Sequence, residues 1–140
     1  MDYTRLLLAA LGGFVAYFVF GGLSFVLVPS MKTEFLKFAA IYRPHEGQMR
    51  MFPVAMAGIF VAVLVVATLF AMIYPSGAPI TDGIRFGALI GVFVVCAFVV
   101  HNYVNLNIGI KLTVIQAVAY FSEWLVVGIV ISLIYRAAGH

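Results

Sequence analysis

Apolar residues run in four long blocks, separated by short stretches of charge and proline. The first covers residues 6–28, between Arg5 and Pro29, and the second about 52–74, between Arg50 and Pro75. The third covers about 84–104 and the fourth 112–135, closed by Arg136. About 20 apolar residues at a rise of about 1.5 Å cross a hydrocarbon core of about 30 Å, so each block predicts one transmembrane helix. The stretch 29–51 has a different pattern. Phe35, Phe38, Ala39 and Tyr42 recur at helical spacing, with Lys32, Glu34, Lys37 and Arg43 on the other side. That predicts an amphipathic helix at the membrane interface, broken by Pro44 and Gly47 before the second span. Its simplest role is a connector lying flat; partner docking or lipid sensing is the alternative. The predicted fold is an all-α integral membrane protein, one domain over 1–140, with four transmembrane helices in an up-and-down bundle. The first block is roughly twice the length of a signal-peptide core and no small-x-small site follows it, so it is expected to remain as an anchor.

Composition agrees with the pattern. The chain is 65% hydrophobic and 9% charged, with a mean hydropathy of +1.16, whereas a soluble domain carries about 25% charged residues. Soluble enzymes, nucleic-acid binders and disordered chains are thereby excluded. Eight Lys and Arg make the chain basic, but they are scattered over helix ends and loops and form no stripe for phosphate tracking. They act as topology signals. The first and third loops hold Lys32, Lys37, Arg43, Arg50 and Lys111, against Arg5, Arg85 and Arg136 at the other ends. This predicts a cytoplasmic first loop, with both termini outside. The lone Cys96 excludes a disulfide framework and a thiol metal cluster.

Helices in lipid approach closely where small residues fall in register. Gly87 and Gly91 form a GxxxG in the third block, Gly58 with Ala62 and Gly128 with Ser132 repeat the spacing, and Ala9, Gly13, Tyr17 and Gly21 share a stripe of the first block. These glycines predict tight helix packing within one chain or between copies.

The polar residues concentrate at the third and fourth blocks. Asn107 and Gly109 predict a tight turn and an antiparallel hairpin. At about 100° per residue, Gly87, Gly91, Val95, Phe98, Asn102 and Asn105 share one stripe, facing Gln116, Tyr120, Glu123 and Val127. The register sets Glu123 opposite Gly91 and Asn102 one turn from Gln116. Glu123 is roughly 11 residues from either end of its block, near the midplane, where an ionised carboxylate costs about 2.5–3.5 kcal/mol. It therefore needs a proton, or donors such as Tyr17, Tyr120, Asn102 or Gln116. Glu123, Gln116, Tyr120 and Asn102 are the candidate midplane site for a proton or cation; a neutral Glu in one structural hydrogen bond is the alternative. His101, Asn105, Asn107 and Lys111 form a second candidate cluster, for a ligand at the membrane surface or for simple helix capping. His101 has no second histidine in a span to share a haem, and no paired-acid, HExxH or nucleophile–base arrangement is present. Neither catalysis, metal nor cofactor is expected.

The second half, residues 86–135, resembles small four-helix bacterial inner-membrane proteins of the domain-of-unknown-function families. The resemblance rests on Phe86-Gly87-Ala88-Leu89-Ile90-Gly91, on Asn102 and Asn105-Leu106, and on Lys111-Leu112-Thr113-Val114. It implies four helices, both termini on one side, and a bacterial inner membrane. That pattern carries acids where this chain has Asn102 and Gln116, and a Trp-Gly pair where it has Ala119 and Tyr120, which leaves Glu123 to carry any charge-dependent role. The function expected first is a non-enzymatic packing module, self-associating or an accessory subunit of a larger membrane complex. The second is a small oligomeric proton- or cation-coupled carrier using Glu123, and the third a lipid or small-molecule binder.

Overall fold

In a computed structural model, described for residues 1–73 and 77–135, the chain is helical, with no strand among the described residues. Four helices are long and apolar enough to cross a membrane. Helix α1 (Tyr3–Leu27) is opened by Asp2, whose carboxylate accepts from the Arg5 backbone N–H at 3.1 Å and pairs with its guanidinium. A single residue, Val28, separates it from α2 (Pro29–Lys37), which starts on a proline whose missing N–H is no loss at a first turn. Helix α3 (His45–Ile73) follows a turn. The third span is α4 (Pro79–Val94), a π-helical segment (Val95–Val100) and α5 (His101–Asn105) in continuous succession; α6 (Ile110–Ile134) is the fourth. Tyr74, Pro75, Arg136 and His140 lie outside the described residues.

Two boundaries differ from the sequence expectation. The second helix begins seven residues before Phe52, because Gly47 sits in its first turn instead of breaking it: glycine there costs only about 1 kcal/mol relative to alanine, and Gln48 N–H already bonds the Pro44 carbonyl. The third begins at Pro79, well before Ile84, with Pro79 and Asp82 in its first turn.

Helix α6 lies between α1 and α4, and α3 packs on α1. The buried core gathers toward one end of the helices: Leu6, Ala9 and Ala10 of α1, Val63, Val66, Ala67 and Phe70 of α3, Phe86 of α4, and Trp124, Val127 and Ile131 of α6. Outward-facing positions are equally apolar, with Leu89, Phe93 and Val118 all more than 60% exposed. A surface of that kind calls for lipid.

Glycines bring α4 and α6 into backbone contact. A Cβ on Gly83 would lie 2.7 Å from Ile129 Cα, one on Gly87 2.9 Å from Leu125 Cα and one on Gly91 2.8 Å from the Phe121 ring. Each pairing is two residues short of the predicted register. Ser132 Oγ, buried at this contact, donates to the Pro79 carbonyl at 2.6 Å. Gly13 makes the matching contact for α1, within 3.3 Å of Val63, Ile131 and Val127 for an added Cβ. Gly58 has no neighbour within 4 Å. Its small face looks outward and packs on no helix among the described residues, which removes it from the contacts within the chain that the spacing predicts.

Candidate functional site

Glu123 lies midway along α6 and is 8% exposed. Neither Gly91 nor Asn102 fronts it. Gly91 is occupied by Phe121, and the residues against Glu123 come from α1: a Cβ on Gly21 would lie 2.6 Å from its Oε1, and Tyr17 is its hydrogen-bond partner. The Tyr17 ring in turn packs on Trp124, 5.7 Å between centroids. The small-residue stripe of α1 is thus what leaves room for the carboxyl. Its second oxygen, Oε2, is buried without a hydrogen-bond partner among the described residues.

A cavity of about 230 Å³ runs from this carboxyl to α2, between α1 and α6. Its polar lining is Tyr17, Gln116, Tyr120 and Glu123, the last three on one face of α6 at i, i+4 and i+7; Phe25, Leu112 and Ile115 form apolar walls, and Met31 and Phe35 of α2 close its far end. Tyr120 is steadied by Phe98 of the π segment, edge to face at 5.5 Å. The arrangement offers one carboxyl with a free oxygen beside two phenols and an amide. That chemistry can hold and release a proton or take a small cation.

Of the predicted midplane set, Glu123, Gln116 and Tyr120 share this cavity, and Asn102 does not line it. The reason is the π segment. Its i→i+5 bonds turn each residue by less than an α-helix does, so the buried stripe passes from Gly91 to Val99, fully buried, while Phe98 is 47% exposed. Everything beyond is rotated away from the stripe drawn at constant pitch, Asn102 included. Gln116 instead donates to the Tyr42 hydroxyl at 3.2 Å.

The second predicted cluster does not converge. His101, Asn105 and Asn107 are exposed, and Asn105 Nδ2 donates to the His101 carbonyl at 2.9 Å, finishing its own helix. Lys111 points elsewhere, to Glu34 at 2.9 Å. Among the described residues no group of three or more His, Cys, Asp or Glu is placed to hold a metal.

Glu34 corrects the reading of the connector. The spacing puts it on a water-facing side, yet it is 4% exposed. One carboxylate oxygen accepts from Lys37 at 2.6 Å and from Lys111 at 2.9 Å, tying α2 to the start of α6. The helix ends at Lys37, so Phe38, Ala39 and Tyr42 lie beyond it in a turn. Tyr42 nonetheless stacks on Phe35, 4.3 Å between centroids, and Phe38 would meet a Cβ on Gly109 at 3.1 Å. Sequence reasoning missed Glu34, Tyr42 and the role of Gly21. For Glu34 a signal existed, since its acid sits among the cations of two loops that must come together at one end of the helices.

The hydrogen bonds from Lys37 and then Lys111 hold the Glu34 carboxyl below its ordinary value of 4.5. A lowered folded-state value means that the tie is whole above pH 4.5 and is lost as pH falls through the lowered value. Glu34→Gln is expected to break it at neutral pH, raising amide exchange over residues 29–43 while exchange in the core of α6 stays unchanged. Equal protection of the connector in variant and parent would refute the tie. No family model matches the chain, and neither a curated protein nor a solved structure does.

Proposed function

We propose that the chain is a non-enzymatic bacterial inner-membrane protein of four up-and-down spans that works as a small oligomeric proton- or cation-coupled carrier. Glu123 is its binding group, Tyr17, Gln116 and Tyr120 are the polar walls of its path, and the segment from Pro29 to Tyr42 lies at the interface as its cover. The observation that carries the reading is that Glu123, whose Oε2 has no hydrogen-bond partner among the described residues, lines a cavity together with Tyr17, Gln116 and Tyr120. An unmet buried polar group costs about 1–3 kcal/mol, and a proton or a small cation taken up at Oε2 would offset that cost. A single chain of four helices encloses little room, so a working carrier is expected to be an assembly of copies.

Cysteine accessibility tests the path. Cys96 is exposed on the lipid-facing side of the third span and is replaced by Ala in the background protein. Ala119→Cys, on the cavity wall, is then expected to react with a membrane-impermeant thiosulfonate roughly tenfold faster than Val118→Cys on the outward face, because the reactive thiolate needs water. Equal, slow rates would mean a dry cavity and end the carrier reading.

A second reading, the self-associating packing module, is favoured by one observation: Gly58 presents a bare backbone face on α3. Gly58→Leu should then lower the cross-linked oligomer in liposomes while leaving the monomer's thermal melt in place. An unchanged oligomer would remove α3 from any contact between copies.

A further inference from the structure

The cations near the connector outnumber the acids: Lys32, Lys37, Arg43, Arg50 and Lys111 against Glu34 and Glu46. Glu34 is taken up by Lys37 and Lys111 through a single oxygen. Lys32, Arg43 and His45 make no ion pair among the described residues, yet all three line one recess of about 320 Å³ in which no acid takes part. His45 also opens the 29-residue α3, so the unbonded N–H groups and positive end of that helix lie at the same place. Lys32, Arg43 and the start of α3 therefore concentrate positive charge in the recess, and the acid of that first turn, Glu46, is not among the residues that line it.

Its other walls are apolar. Phe25, Phe35, Leu36 and Ala39 line it together with the Tyr42 ring. Phe25 belongs to α1, a membrane span, and is 42% exposed, so this wall continues from the charged end toward the level of the hydrocarbon. We propose that the recess binds the phosphate head group of an anionic phospholipid, with Lys32 and Arg43 on the phosphate oxygens and the first acyl carbons along Phe25 and Leu36. Guanidinium geometry suits two phosphate oxygens at once. A free phosphate ion would use the cations and leave the apolar wall unfilled, which is why a lipid fits better. Phe25 and Phe35 are also walls of the Glu123 cavity, so a lipid seated here touches the cover of that cavity. The inference rests on the spans lying in a bilayer and holds whether or not Glu123 carries a cargo.

The test is competitive lipid retention by the full chain, measured by native mass spectrometry from mixed phosphatidylglycerol and phosphatidylcholine micelles. The parent should retain phosphatidylglycerol preferentially. Lys32→Gln with Arg43→Gln should cut that preference about twenty-five-fold, each head-group cation contributing about fivefold. Arg5→Gln with Arg85→Gln, the same change in charge at the other end of the spans, should leave it intact. Should the double variant fail to fold, as judged by its circular-dichroism melt, the two single variants should each show the fivefold loss. Inorganic phosphate at millimolar concentration is expected not to displace the retained lipid. Preference kept by Lys32→Gln/Arg43→Gln, or lost equally in the far-end pair, would overturn the site. Displacement by phosphate alone would overturn the lipid as its occupant.

Discussion

Glu123→Gln is expected to leave the four helices folded and to reduce pH-gradient-driven flux in proteoliposomes to the level of protein-free liposomes. The substitution keeps the shape of the side chain and an acceptor for Tyr17, so the hydrogen bond to α1 survives in altered form. One interhelical hydrogen bond in lipid is worth about 0.6–2 kcal/mol, and an ionised carboxylate at the centre of a span costs about 2.5–3.5 kcal/mol. Removing the acid therefore leaves the thermal melt unchanged or raises it. What disappears is the one carboxyl among the described residues of the cavity wall, and with it a buried oxygen that has no hydrogen-bond partner among them. Infrared spectra in nanodiscs should show a carboxyl band that responds to external pH in the parent and is missing from the variant. Tyr17→Phe, which removes a donor and keeps the acid, is expected to slow flux without abolishing it. Full flux through Glu123→Gln, or a pH-responsive band that survives the substitution, would refute the assignment and return the carboxyl to a structural role.

Gly87→Leu is expected to do the reverse and abolish folding, yielding no monodisperse protein in detergent. The Cβ alone would stand 2.9 Å from Leu125 Cα and O and from Trp124 O. These are backbone atoms of α6, and no rotamer change relieves them. Across the contact, a Cβ on Gly128 would stand 2.5 Å from Gly87 Cα, so the two helices have no slack on either side. Relief requires α4 to move away from α6, which gives up the Ser132 bond to Pro79 and the packing of Phe86 and Trp124 in the core. Overpacking of this kind costs about 3 kcal/mol, in a solvent that supplies no hydrophobic force to hold the helices together. Gly22→Leu is the matched control, because nothing lies within 4 Å of that glycine. Its melt should stay within a few degrees of the parent. A folded Gly87→Leu would show that the α4–α6 contact is looser than its backbone distances.

These expectations draw on what could be read from the chain before folding and on what could not. The four spans were legible because crossing a bilayer is a one-dimensional demand: an uninterrupted apolar length, such as the run over 52–74 between Arg50 and Pro75, states it without reference to any other segment. The glycines of the α4–α6 contact were legible to within half a turn for a related reason, since a turn as short as 106–109 leaves an antiparallel helical hairpin little freedom of register. The carboxyl of Glu123 stood out by its depth alone.

Tertiary structure decided which residues meet it. Tyr17 and Gly21 are more than 100 positions away in sequence, and no local spacing states which face of α1 lies on α6. Asn102 left the site because six residues of π-helix broke the constant pitch on which its stripe was drawn, and Glu34 turned inward because Lys111, on a distant helix, was there to neutralise it. Apolar length and glycine spacing are properties of a segment, and the sequence determines them by itself. The partners of a buried charge are properties of two segments brought together, and only packing selects them.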